Sequence, residues 1–537
     1  MPTNAAAVPV LLPLLGALGA LFVRRPSAGR RALIALLLTG LTAQSLWLTA
    51  RALEAPLVLS LGGWVVPYGI VLVVDPLSGI MLCLSAVSAL ATTLYGYAAE
   101  PAGGEHPLRA PLFLLLTAGV NLAFVTGDLF NLFVAFEVLL LASYGLMTLE
   151  LERGSTRRAL PYVTINLIGS ALFLCAAAFT YSLFGTLNFA EMASRAPALS
   201  ADLRLHVLAV LLVLVGALKA GLFPLYHWLP QSYPVMPAPL TAFFAGLLTK
   251  VGVYVLIRLV AGVLPAELHF LHTALAWAGG VTMVVGVLGA LAQDRVQHIL
   301  AYHIVSQVGY MVLALGLFTP YAITAAIFYV VHHILAKTTL LLVGGVVQAV
   351  FGSDRLADTG GLARSSQVLS LTFLLQALSL AGVPPLSGFW GKLMIIQEGV
   401  RQGETVLVVL ALVASLLTLL SMLKIWLASF WGPPPLAHES GDLPSEAQVT
   451  QQSPSLTSQT QASHPAAPAR KLVTLTHRTR GMIWVIAGLT AMSLGVGLGA
   501  GPLVSLADQA ATRVLDHAAT LEAVRALNRS PEPGKHP

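Results

Sequence analysis

Five ionisable side chains stand where the chain is otherwise almost wholly apolar. They are Glu137 in "VTGDLFNLFVAFEVLLLASYGLM", Lys219 in "VGALKAG", Lys250 in "GLLTKVGVY", Lys337 in "HHILAKTTLL" and Lys392 in "FWGKLMII". A Lys or Asp at the centre of a membrane helix costs about 2.5–3.5 kcal/mol, so keeping several predicts that they face one interior and share partners, water or both. Burial disfavours the charged form of an acid or a base, and an opposite charge nearby restores it. Glu137 beside Lys219 is therefore expected to form a switchable ion pair. With the pair closed Lys219 holds its proton; with it open the proton can pass to Lys250, 31 residues on (250 − 219) and on the next span. The structural alternative is a set of static pairs that only select helix partners.

Histidines supply intermediate positions. His298 and His303 lie in "QHILAYHIVSQ", and His332 and His333 in "YVVHHILAKTT". His333 and Lys337, four apart, share a helix face. Four histidines on successive spans between two lysine-bearing halves read as proton-relay positions. A lone helix histidine is otherwise a packing residue, and one of the adjacent pair is expected to point away. His227 and Glu398 are secondary relay candidates, Glu398 either on an exit path or interfacial, while Lys424 is expected to snorkel to the interface. Asp75 in "VVDPLSG" and Asp128 in "TGDLFN" are expected to cap helices. "GVGLGAG" near residue 495 lacks the preceding strand of a nucleotide loop and reads as close helix packing.

The elements that hold these residues must be membrane helices. Of the 537 residues 57% are hydrophobic and 10% charged, and the mean hydropathy is +0.82. Soluble domains carry about 25% charged residues, so a soluble multidomain enzyme is excluded. The net charge is +6, but the Arg residues fall in short loops between apolar runs, which argues against nucleic acid and for membrane topology. Cys83 and Cys175 lie within apolar runs, and neither a disulfide framework nor a thiolate metal site is available.

About 20 apolar residues cross the hydrocarbon core. That length predicts fourteen spans, near 5–23, 31–50, 70–97, 110–126, 128–148, 160–184, 205–224, 238–261, 269–291, 299–318, 322–350, 366–399 (interrupted), 405–431 and 481–505. "MPTNAAAVPV" lacks the basic start of a signal peptide and precedes "RRPSAGRR", so an uncleaved span with its N-terminus outside is expected. Alternation then puts "ELERGSTRR", "QDRVQ" and "SDRLADTGGLAR" inside as well, with both termini outside. Residues 432–480, rich in Ser, Gln, Pro and Ala, are expected to be a disordered cytoplasmic linker, and the tail after 506 a short polar helix at the outer surface.

"AGLFPL" (220–225) recurs as "AGVPPL" (381–386), an offset of 161 (381 − 220), and the same shift carries five spans onto the next five. A five-helix unit crosses an odd number of times, so its second copy is inverted. Pro224, Pro230 and Pro234 in one copy, and Pro384 and Pro385 in the other, predict a discontinuous helix in each rather than a simple kink. The expected fold is thus an all-α integral membrane protein of about 14 helices. Its divisions are three helices in 1–108, repeats in 109–265 and 266–431, the linker 432–480, and a last helix with tail in 481–537.

These residues resemble the antiporter-like membrane subunits shared by respiratory complex I and the multisubunit Mrp sodium/proton antiporters, over about residues 60 to 430. "VTGDLFNLFVAFEVLLLASYGL", "ALKAGLFPLYHWLPQSYPVMPAP", "LLTKVGVYVLIR" and "HHILAKTTLLLVGG" look like the D-type Mrp subunits, and "LAYHIVSQVGYM" and "AGVPPLSGFWGK" are common to the wider family. The resemblance implies an interacting acid and lysine at Glu137 and Lys219, and a bridging lysine at Lys250. It also implies a central relay at His332 or His333 with Lys337, and the second broken helix's lysine at Lys392. One complex I type has Glu at that last place, so the position does not separate the branches. Further implications are a plasma-membrane assembly with a large A-type subunit and small subunits, sodium and protons as transported ions, no cofactor and no enzymatic activity of its own. No oxygen-ligand cluster identifies a cation site in the sequence. The competing expectations are a redox-driven proton-pumping assembly and a haem cytochrome ligated by the paired histidines. The latter leaves Glu137 and the lysines without a role.

Overall fold

The computed structural model describes residues 3–23, 26–62, 64, 66, 68–101, 103–150, 156–434 and 475–527. The expected linker falls mostly outside the described residues. An N-terminal pair, α1 (Val8–Phe22) and α2 (Ala28–Glu54), leads through an antiparallel hairpin, β1 (Leu57–Ser60) and β2 (Val71–Val74), to α3 (Pro76–Ala99). Next come α4 (Arg109–Val125), α5 (Leu129–Glu150), α6 (Thr156–Phe184), the short α7 (Phe189–Arg195) and α8 (Leu203–Ala220). After a break follow α9 (Trp228–Ser232), α10 (Ala238–Phe243) and α11 (Thr249–Gly262), then α12 (His269–Leu291), α13 (Val296–Leu317) and α14 (Pro320–Phe351). The chain continues with α15 (Leu362–Ser365), α16 (Gln367–Ala381), α17 (Ser387–Arg401) and α18 (Thr405–Ile425). It closes with α19 (His477–Leu498), α20 (Ala500–Leu515) and α21 (Ala518–Leu527).

Among the described residues twelve helices are long and apolar enough to cross a membrane, so the protein is a multi-pass membrane protein. Of the fourteen expected spans, those at Arg109–Val125 and Gln367–Ala381 are shorter apolar helices. Three differences from the sequence reading have local causes. The connection after α2 contains the β hairpin, whose β-branched run "VLVV" pairs with "LVLS" and satisfies its own backbone. The last span stops at Leu498, and the expected single polar helix is two, α20 and α21. Helix α20 buries Ala507, Ala510, Ala511 and Val514, a stripe at helical spacing.

The burial gradient decides where chemistry can be protected. In the most apolar window of the continuous span Ala238–Gly262 every residue is buried, and in Val296–Leu317 94% are, against 28% in Ala28–Glu54. Helix α14 runs through the middle, packed against α3, α10, α13, α16, α17, α19 and α20.

Helices α8 and α16 end in the same way. Gly221 and Gly382 are left-handed, with φ of 76° and 92°, a conformation that favours glycine. Leu222 donates to the Ala217 carbonyl and Val383 to the Leu378 carbonyl, each at 3.0 Å, while Gly221 donates to Leu218 and Gly382 to Ser379. This is a Schellman stop on both sides, so the proline segments interrupt helices rather than kink them. A second local construction also occurs twice. Asp128 bridges Asn188 and Arg295 bridges Arg355, 167 residues on in each case (295 − 128 and 355 − 188). The offset is 161 at the helix stops, so the segment between these landmarks is six residues shorter in the second half (167 − 161).

Asp75 caps α3, accepting from the Ser78 amide at 2.9 Å, and also meets Arg258 of α11 through both guanidinium terminal nitrogens, a pairing absent from the sequence reading. Arg258 further donates to the Ser78 and Tyr254 hydroxyls, tying α3 to α11. Burial alone would raise the Asp75 carboxyl; the Arg258 guanidinium and the hydrogen bonds reverse this and hold it below the ordinary carboxylate range. The stabilisation is therefore present above the unfolded value of about 4 and is lost as pH falls through the depressed folded value. Arg258→Ala, which leaves Asp75 buried and unpaired, is expected to cost roughly 3–5 kcal/mol. Thermal unfolding in detergent should show this loss, with a smaller one for Asp75→Asn combined with Arg258→Gln.

Candidate functional site

Each buried lysine described next is seated on oxygen atoms that a regular helix does not offer. Helix α11 is entered through a π-helical turn, Phe244–Leu248, and the Lys250 ammonium donates to the Ala245 carbonyl in that turn at 2.7 Å and to the Thr249 hydroxyl at 3.0 Å. Lys392, on α17, reaches across the break and donates to the last carbonyls of α16, Leu380 at 2.9 Å and Ala381 at 3.2 Å, and to Ser415 at 3.1 Å. It thereby occupies the carbonyls that the Schellman stop leaves open, where the helix dipole favours a cation, and it lies 4.6 Å from the Tyr310 ring centre. Lys219, in the last turn of α8, lies 3.3 Å from the Asn166 side-chain oxygen and 3.4 Å from its carbonyl, and 5.3 Å from the Phe136 ring centre.

Glu137 is half-buried on α5, one residue from Phe136. It makes no ion pair with Lys219 within 4.0 Å, although its field reaches that lysine, and its buried Oε1 has no protein partner. The contact that Lys219 makes is with Asn166 rather than with the expected Glu137. A cavity of about 10 Å³, about enough for one water, is lined by Phe136, Asn166, Lys219, Trp228, Tyr233 and Leu248. Leu248 brings it to the π turn that leads to Lys250.

The middle of the row lies on α13 and α14. His333 is within electrostatic range of Lys250, Lys337, His332 and His303. Both nitrogens of His333, the Lys337 ammonium and the Thr338 hydroxyl are buried without protein partners. His332 pairs with Ser387 at 2.8 Å, and His303 with Ser421 at 2.9 Å. Both histidines feel Lys392. Both His332 and His333 are fully buried, His332 toward Ser387 and Tyr329 and His333 within reach of Lys250 and Lys337. Helix α14 is enclosed on every side, so a turn away from one neighbour faces another.

The structure therefore forms two groups, Glu137 with Lys219, and Lys250 with His333, Lys337, His332, His303 and Lys392, and the small cavity at Lys219 reaches Leu248 of the turn before Lys250. It sets four other candidates aside. His227 is exposed and meets Gln231 at 2.8 Å, and His298 lines a separate cavity at the end of α13. Glu398 is buried but held by Arg401 at 3.0 Å and Gln402 at 3.1 Å. Lys424 donates to the carbonyls of Leu291 at 3.1 Å and Gln293 at 2.6 Å, at the end of α12 and in the loop after it. Sequence reasoning missed Asn166, Thr249, Ser387, Ser415 and Ser421. Asn166, a lone amide in the apolar run "YVTINLIG", was the one with a visible signal. Tyr329, which hydrogen-bonds Gln307 and lies 5.2 Å from the His332 ring, was missed as well. At Gly388 a Cβ would come within 2.9 Å of His332 Nε2, so the absence of a side chain lets α17 approach the row.

Comparison with known proteins finds a family model described as NADH:quinone oxidoreductase/Mrp antiporter, transmembrane, over residues 126–418. The chain is 41% identical to the D-type subunit of a Na(+)/H(+) antiporter from Alkalihalophilus pseudofirmus over 431 residues, covering 80% of this chain and 87% of that one. Its fold is similar to a chain of the Mrp complex from Dietzia sp. DQ12-45-1b, with TM-score 0.87, 31% identity and coverage of 98% and 99%. It is also similar to a chain of an archaeal membrane-bound sulfane sulfur reductase, with TM-score 0.83, 25% identity and coverage of 97% and 99%.

Asn166→Leu removes the acceptor that holds Lys219 and dries the small cavity beside it. The expected outcome is normal protein level with ion transport in vesicles reduced about tenfold or more, as for loss of a charge-assisted hydrogen bond.

Proposed function

Because the chain belongs to the NADH:quinone oxidoreductase/Mrp antiporter family of membrane subunits, we propose that it is the proton-translocating subunit of a multisubunit Na+/H+ antiporter. It is a secondary transporter subunit rather than an enzyme, assembled with a large A-type subunit and small subunits. The observation that carries the reading is the row of buried lysines and histidines on the most enclosed helices, with one acid, Glu137, at its end.

In this reading Glu137 and Lys219 close and open as an ion pair. Closure favours a protonated Lys219; the arrangement with Lys219 on Asn166 is the open state, from which a proton moves toward Lys250. Lys250, His333 and Lys337 then exchange it through water. Burying polar groups without partners costs several kcal/mol unless water serves them, and the unpartnered atoms of His333, Lys337 and Thr338 supply the partners that an internal water needs. His332, His303 and Lys392 continue the row to the second break. The two breaks, which stop α8 and α16 in the same geometry, act as matching elements of inverted five-helix repeats within 109–265 and 266–431.

The proposed setting is the plasma membrane with both termini outside. Its support is that Arg157, Arg158 and Arg295 line one cavity and Arg355 meets Asp294 beside it, so basic loops gather at one end, as the positive-inside rule requires. The redox-driven alternative shares the same row of residues and has a structural neighbour in the sulfane sulfur reductase complex. The antiporter reading is favoured by the 41% identity to the D-type Na(+)/H(+) antiporter chain.

Sodium-driven proton movement in inverted membrane vesicles should fall at least tenfold for Glu137→Ala and Lys219→Ala, and for Lys392→Ala by interruption of the far end. Each variant should still co-purify with its partner chains. Retained antiport at normal subunit levels would overturn the route, and co-purification with electron-transfer subunits would reassign the chain to the redox branch.

A further inference from the structure

A cavity of about 470 Å³ lies outside the row, at the ends of the spans. It is lined by Arg157 and Arg158 of the first turn of α6, Gln231 of α9, Arg295 at the start of α13, and His298 and Tyr302 on the next turns, with Pro230 and Gln293 completing the wall. Among the described residues two acids beside the cavity, Asp354 and Asp294, are already engaged. Asp354 holds Arg295 at 2.6 Å, and Asp294 meets Arg355 at 3.3 Å. Among the described residues Arg157 and Arg158 have neither an ion pair nor a side-chain hydrogen bond. The buried Nδ1 of His298 also has no partner, and the field of Arg158 reaches that ring. Two unpaired guanidiniums, with a third paired to Asp354, and an imidazole around open space disfavour protons and metal cations, so the cavity is a poor mouth for the ions that this protein is proposed to move. It suits an anion whose oxygens accept several N–H donors at once.

We infer that this cavity binds a phosphate group, with Arg157 and Arg158 as the principal donors. The cavity lies where α6 and α13 begin, the level of lipid headgroups. The phosphodiester of an anionic phospholipid and a free phosphate present the same oxygens; the location favours the lipid. The inference does not depend on the proton route.

The test uses the assembled complex in membranes, labelled with a photoreactive phosphatidylglycerol analogue and mapped by peptide mass spectrometry. Crosslinks are expected on peptides containing 157–162 and 293–302. R157Q/R158Q should lower them about tenfold, the loss of two charge-assisted contacts, while labelling elsewhere on the chain stays unchanged and reports intact folding. Competition by phosphatidylglycerol but not by inorganic phosphate identifies a lipid headgroup; competition by inorganic phosphate identifies a free-phosphate site. Equal labelling by a phosphatidylcholine analogue, or labelling unchanged in the double variant, would overturn the inference. Sodium-driven proton movement measured in parallel separates this outcome from failure of the proposed transport role.

Discussion

An ammonium group inside a membrane bundle needs oxygen acceptors, and regular helices have none to spare, since every interior carbonyl is already bonded along its own helix. In this protein the needed acceptors come from irregular backbone. Lys250 is served from a π turn, Lys392 by the open carbonyls of a stopped helix, and Lys424 by carbonyls at the end of α12 and in the loop after it. Lys219 takes the amide oxygen of Asn166 instead. Along the row, Lys219, Lys250 and Lys392 all sit without a carboxylate in contact. A tight buried pair would hold its proton fast, whereas carbonyl and amide oxygens support the charged form without locking it. The same constraint leaves Lys337 as the lysine with no acceptor at all, beside a histidine with none either. That concentration of unmet polarity is where the proposed relay depends most on water.

Helix stops and bridging contacts recur in the two halves, but the lysines do not follow them. Lys219 precedes its break on α8, while Lys392 follows its own on α17 and reaches back across it. Matching scaffolds therefore carry unlike charge placement, one lysine before its break and one after it. The six-residue difference between the landmarks falls in the segment holding α7, so the scaffold absorbs it without shifting either break.

Burial divides the molecule by task. The helices that carry Lys250, His303, His332, His333 and Lys337 are the most enclosed, and α14 packs against both α11 and α13. The network of Asp75, Arg258, Ser78 and Tyr254 ties α3 to α11 at the other end of α11 from Lys250, and so fixes the helix that carries Lys250. Charge that is meant to be static is bidentate and tightly paired there; charge that is proposed to move is left loosely held.

Hydropathy alone determined that this is a helical membrane protein, because no soluble core accommodates so many long apolar runs. Composition likewise located Glu137 and the lysines, since an ionisable residue in an apolar run is conspicuous by type. The proline segments announced the two breaks, because proline cannot continue the backbone ladder. What only the tertiary structure decided is which oxygen each lysine meets. Backbone carbonyls are the same at every residue and carry no signature, so the seats of Lys250 and Lys392 were illegible, and so was the pairing of Asp75 with Arg258 across 183 positions. The choice of Asn166 over Glu137 as the neighbour of Lys219 is likewise a matter of distance, which depends on how α5, α6 and α8 pack and not on what any of them contains.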